Sequence, residues 1–201
     1  MAQEPNLQTL RQKARQGWWQ DGLTELTTGV VLLYTGGTGY LMETAAPPGK
    51  TLWTLLWVLG TVALPLLGGR VLRKMKARWV WPYSGYVKPR QHPLNPLRIL
   101  TALLLIAGAL ATLLHWTGLW ATGLGLSLFL GVNVGRPTGQ ARFYTLGILI
   151  LLLSLFLEIS SLTPAQGFFL LLMGAGVLLG ATGLWTWTRY RTKTGGGVAD
   201  G

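Results

Sequence analysis

The stretch ILTALLLIAGALATLLHWTGLWATGLGLSLFLGVNVG, Ile99 to Gly135, runs for 37 residues without one Asp, Glu, Lys or Arg. A single helix of that length measures about 55 Å, far beyond the roughly 30 Å hydrocarbon core of a bilayer. The stretch therefore predicts two membrane helices folded as a hairpin, turning at His115-Trp116-Thr117-Gly118. A soluble core helix keeps a polar stripe toward water, and neither half has one.

The segment downstream obeys the same arithmetic. Between Arg142 and Arg189 the one charged residue is Glu158. That length again requires a hairpin, split near Ile159 to Thr163. Thr163-Pro164-Ala165-Gln166 reads as a capping box with Pro at the first helical position, so the last span is expected from Pro164 to Trp187. Upstream, a first span is expected from Gly22 to Met42 and a second from Thr51 to Leu67. Pro47, Pro48 and Gly49 form the turn between them, and Pro65 is placed to bend the second.

The expected fold is an all-α integral membrane protein of six transmembrane helices, arranged as three hairpins. Its parts are an N-terminal segment (1–21), a membrane domain (22–187) with a basic loop at 68–97, and a basic, Gly-rich tail (188–201). In the N-terminal segment, Leu7, Leu10, Ala14 and Trp18 share one helical face, and Arg11, Gln12, Lys13 and Arg15 fill the other. This suits a short helix lying in the membrane interface, or equally a frayed tail.

Composition agrees with a membrane class. Charged residues are 11% of the 201, against roughly 25% in an ordinary soluble domain. The net charge of +11 would suggest nucleic acid in a soluble chain, but here the cations flank apolar spans. No nucleic-acid partner is expected. Cysteine is absent, which excludes disulfides and thiolate metal sites. The first apolar run ends in Thr44-Ala45-Ala46-Pro47, a poor cleavage context, and reads as a retained span rather than a signal peptide.

The cations also predict orientation. Six spans divide the connecting segments into two sets, and sixteen of the seventeen Lys and Arg fall in one of them. The other set holds Lys50, with Glu43 and Glu158 nearby. Lys and Arg accumulate in cytoplasmic loops, so both termini and the loop at 68–97 are expected in the cytoplasm. Tryptophan supports the boundaries. The ten form five close pairs (18/19, 53/57, 79/81, 116/120 and 185/187), four of them at expected span ends, as an aromatic belt requires.

Candidate chemistry is sparse. Asp21 and Glu25 are four residues apart and share a helix face. They could bind a cation near the inner mouth of a small transporter or channel. The structural reading competes and is preferred: Asp21 as N-cap, and Glu25 in the first turn complementing the helix dipole. Arg70, Arg73, Lys74, Lys76 and Arg78, followed by Trp79 and Trp81, are candidate contacts for anionic lipid headgroups. The alternation from Trp79 to Lys88 around Ser84-Gly85 suggests a small hairpin. Gly131 with Gly135, and Gly176 with Gly180, have the four-residue spacing that lets helices pack closely. His92 and His115 fall on opposite sides of the expected topology and cannot form one metal or haem site. No phosphate loop, nucleophile elbow or metalloprotease motif occurs, and neither catalytic residues nor cofactors are expected.

Trp18-Trp19-Gln20-Asp21-Gly22-Leu23-Thr24-Glu25-Leu26, with Pro82-Tyr83-Ser84-Gly85-Tyr86-Val87, resembles segments of small uncharacterised bacterial multi-pass membrane proteins. The resemblance covers about fifteen residues and implies a location in the bacterial cytoplasmic (inner) membrane, with no activity attached. The reading that results is a non-enzymatic accessory or scaffold protein. Its basic loop meets anionic lipid or a cytoplasmic partner, with a membrane-protein partner or a homo-oligomer both open.

Overall fold

A computed structural model describes residues 21–80, 96–114 and 118–195. Helix α1 spans Leu23–Thr44, α2 Pro47–Trp79, α3 Pro96–Leu113 and α4 Leu119–Phe129. A π-helical turn, Leu130–Gly135, and a single turn α5, Arg136–Thr138, continue α4 without a break. Helices α6, Ala141–Ile159, and α7, Pro164–Gly195, complete the bundle. There is no strand among the described residues.

Three helices are long and apolar enough to cross a membrane: α2, α6 and α7 up to Thr192. Ile99–Thr112 and Leu119–Gly135 are shorter apolar helices, separated where the uncharged stretch had to turn. The pairs α1–α2, α3–α4 and α4–α6 pack antiparallel. Tyr34 of α1 meets Gly60 of α2, Gly108 of α3 meets Ala121 of α4, and Gly147 of α6 meets Ser127 of α4. The capping box at α7 is present in both directions: the Gln166 N–H donates to Thr163 Oγ1 at 3.2 Å, and the Thr163 N–H to Gln166 Oε1 at 3.3 Å.

Two helices are longer than expected. Residues 68–79, read from sequence as the start of a loop, continue α2 as helix, and Pro65 lies inside it. Past Gly69 the segment holds good helix formers, and Leu72 and Met75 find an apolar partner surface. Residues 188–195, expected as unstructured tail, continue α7 for the same reason, since Tyr190 joins that surface.

Helix α7 is the centre of the molecule. Phe168, Phe169, Leu171, Leu172, Ala175 and Leu179 are buried in one cluster with Leu119 and Leu130 and with Phe143, Leu146 and Ile150 of α6. Its other face lies against α1 through glycine. A Cβ added to Gly29 would sit 2.6 Å from the Gly180 nitrogen, one at Gly36 2.6 Å from the Phe169 oxygen, and one at Gly183 2.5 Å from the Leu26 nitrogen. Gly22, Gly29 and Gly36 recur every seventh residue, as do Gly176 and Gly183. Small residues at that spacing let two backbones touch, which apolar packing in lipid needs in place of a hydrophobic driving force. By contrast, Leu55, Leu59, Val62 and Leu66 on α2 and Ile99, Leu103 and Ile106 on α3 are exposed.

Candidate functional site

The starts of α1 and α6 and the ends of α2 and α7 meet at one end of the bundle. We call it the basic end, since Arg70, Arg73, Lys74, Lys76, Arg78, Arg136, Arg142, Arg189 and Arg191 all lie in those terminal turns or the adjoining turn α5. At the opposite end, among the described residues, Lys50 stands alone with Glu43 and Glu158.

Asp21 and Glu25 are both buried there, and each is paired. Asp21 Oδ2 lies 2.9 Å from Lys76 Nζ, with the two side chains 0% and 1% exposed. Glu25 Oε1 lies 2.6 Å from Arg142 Nη2, and Arg142 Nη1 donates to Thr186 Oγ1 at 2.5 Å. Two carboxylates at the start of α1, four residues apart, thus reach α2 and α6 and, through Arg142, α7. Desolvation pushes the Asp21 carboxyl above its ordinary range, and the Lys76 ammonium opposes that. A buried carboxylate carries a large desolvation cost unless an opposite charge is held against it, and here each has one.

The capping role expected of Asp21 is displaced by one position. Gly22 is the N-cap, in the left-handed conformation at φ 73°, and it has no side chain to offer. Asp21 Oδ1 accepts the Leu23 N–H at 2.9 Å instead. One oxygen starts α1 and the other holds Lys76. Gly22 is required for a second reason: an added Cβ would meet the Gly183 carbonyl at 2.3 Å.

Lys76 departs from the headgroup role expected of it. Leu72, Met75 and Lys76 turn inward, where Leu72 and Val80 pack with Leu23, Trp187 and Tyr190. Arg70, Arg73, Lys74 and Arg78 turn outward and are exposed. At about 100° per residue these four occupy an arc of about 140°, with Lys76 outside it. Trp79 is exposed on one side and lies 5.9 Å from Trp187 ring to ring. Arg189 stacks over Trp185 at 4.8 Å and Arg191 over Trp187 at 5.9 Å, so these two α7 cations are held by indole faces.

The remaining candidates are structural in placement. Gly131 and Gly135 lie in the π turn, where a Cβ would meet the Tyr144 ring at 3.5 and 3.2 Å. Gly176 touches Leu33 and Gly29 of α1, whereas a Cβ on Gly180 would meet nothing and matters only as space for Gly29. Glu158, at the other end, accepts the Leu119 N–H through Oε2 and so caps α4 from α6. Trp81, His92 and His115, the hairpin beyond Val80 and the N-terminal segment up to Gln20 lie outside the described residues.

Sequence reasoning singled out Asp21 and Glu25 and missed their partners. Arg142 lies 117 positions beyond Glu25, and Thr186, which Arg142 also holds, lies 44 positions further on, too distant for any local pattern to join them. Lys76 was legible in part: drawn as a helix, residues 70–78 put four cations on one face and Lys76 on the apolar one. No protein-family model, no curated protein and no solved structure matches the chain.

Proposed function

We propose that the protein is a six-span membrane protein of the bacterial cytoplasmic membrane, with its basic end and both termini in the cytoplasm. It acts as a non-enzymatic accessory or scaffold component that presents a cationic surface to anionic lipid headgroups. The observation that carries this reading is the sorting of cations on α2. Lys76 is consumed by Asp21, while Arg70, Arg73, Lys74 and Arg78 are exposed on one face. No Asp or Glu occurs between Glu43 and Glu158, so nothing on α2 neutralises that face. Each Lys or Arg near an anionic membrane surface adds about 1 kcal/mol of attraction.

A transporter using Asp21 and Glu25 fits less well. Both carboxylates already hold a cationic side chain, so a transported cation would have to displace Lys76 or Arg142. Spin-labelled lipids test the preferred reading in reconstituted membranes. The chain is expected to immobilise phosphatidylglycerol in preference to phosphatidylcholine, with the preference falling as salt rises. Equal immobilisation of the two lipids would refute it. Cation or proton flux in the same vesicles, abolished by Glu25→Gln in a folded protein, would put the transporter in its place.

A further inference from the structure

The outward face of α2 is more specific than a charged surface. Leu55, Leu59, Val62 and Leu66, each more than half exposed, continue at helical spacing into Arg70 and Arg73, with Lys74 beside them. One face thus offers an uninterrupted apolar stripe that ends in three cations within a single turn. A phospholipid has the same two parts in the same order, acyl chain then phosphate. An acidic polypeptide would use the cations and leave the stripe uncovered.

Depth selects among the cations. The headgroup layer adds about 5–8 Å to each side of the hydrocarbon core. Counted from Arg70, which follows the apolar run, Arg73 and Lys74 lie within about 6 Å of rise and Arg78 at about 12 Å. Three cations therefore share phosphate level and the fourth stands beyond it. Asp21 and Glu25, the acids of this end among the described residues, are held by Lys76 and Arg142 and do not face this turn. A single phosphodiester leaves most of that charge unmatched.

Resting on the orientation proposed above, we infer that this face of α2 is a binding site for a phospholipid carrying two phosphodiester groups. Arg70, Arg73 and Lys74 hold the phosphates, and the acyl chains lie along Leu59, Val62 and Leu66. The occupant comes from the cytoplasmic leaflet, and Arg78 takes no part.

Native mass spectrometry of the full chain, released from mild detergent with an equimolar mixture of cardiolipin, phosphatidylglycerol and phosphatidylcholine, tests the site. Cardiolipin adducts are expected to dominate. Each of Arg70→Gln, Arg73→Gln and Lys74→Gln is expected to weaken them about fivefold, the triple variant about 100-fold, and Arg78→Gln less than about twofold. The three side chains are exposed, and an unchanged thermal midpoint identifies variants that remain folded. Cardiolipin and phosphatidylglycerol retained equally, both above phosphatidylcholine, would overturn the two-phosphate site and leave the anionic-surface reading standing. No preference among the three lipids would overturn both. Selectivity that survives the triple variant would overturn the assignment to these residues. A polyglutamate competitor that displaces cardiolipin from the wild-type chain and fails to bind the triple variant would assign the face to an acidic protein instead.

Discussion

Lys76 Nζ and Asp21 Oδ2 lie 2.9 Å apart with both side chains buried, which ties the end of α2 to the residue that starts α1. The contact closes the first hairpin at the end away from its turn. It also explains why a lysine sits on the apolar face of an otherwise sorted helix. Deleting one charge leaves the other buried without compensation, a loss of about 3–5 kcal/mol, whereas replacing both by apolar groups is often neutral.

Lys76→Met alone is therefore expected to lower stability strongly, and Asp21→Asn with Lys76→Met to recover most of the loss. Thermal midpoints of the two singles and the double in detergent measure the coupling. Additive losses would show that the pair does not act as a unit.

The α1–α7 contact predicts a contrast between two glycines on one helix. Gly29→Val places side-chain atoms against the Gly176 and Gly180 backbones and is expected to cost roughly 1–3 kcal/mol. A Cβ on Gly37 meets nothing within 4 Å, so Gly37→Ala is expected to be neutral or to stabilise by about 0.5–1 kcal/mol. The same midpoint measurement decides. Equal effects would mean that α1 and α7 do not pack at backbone distance.

Helix α4 begins at Gly118, which has no side chain, and borrows an acceptor from Glu158 of α6. Glu158→Ala is expected to cost about 1 kcal/mol and Glu158→Gln distinctly less, because the amide keeps an acceptor oxygen. Hydrogen exchange at the first turn of α4 reports this directly. Unchanged protection in Glu158→Ala would remove the capping role.

Helices α3, α4, α6 and α7 were legible in the sequence because each of the two long, nearly uncharged runs exceeds the length of one ordinary apolar helix. The reciprocal bonds of Thr163 and Gln166 stand where the capping box was read. The ends of α2 and α7 were not legible. Charge density suggested loop and tail, but helices continue past an apolar boundary when another helix end offers packing, as Leu23, Trp187 and Tyr190 do. The four-residue spacing of Gly176 and Gly180 points to Gly176, which does touch α1. The wider contact follows a period of seven through Gly22, Gly29 and Gly36, a signal that the four-residue spacing does not contain. The ion pairs depend on which helices become neighbours, which no local pattern carries.

The chain has no cysteine, so the proposed orientation can be measured one introduced thiol at a time. In intact bacterial cells, a membrane-impermeant maleimide is expected to label Thr117→Cys and to leave Ser84→Cys and Thr194→Cys unlabelled until the membrane is opened. Labelling of position 84 or 194 in intact cells would place the basic end outside, contradicting both the six-span topology and the lipid surface built on it.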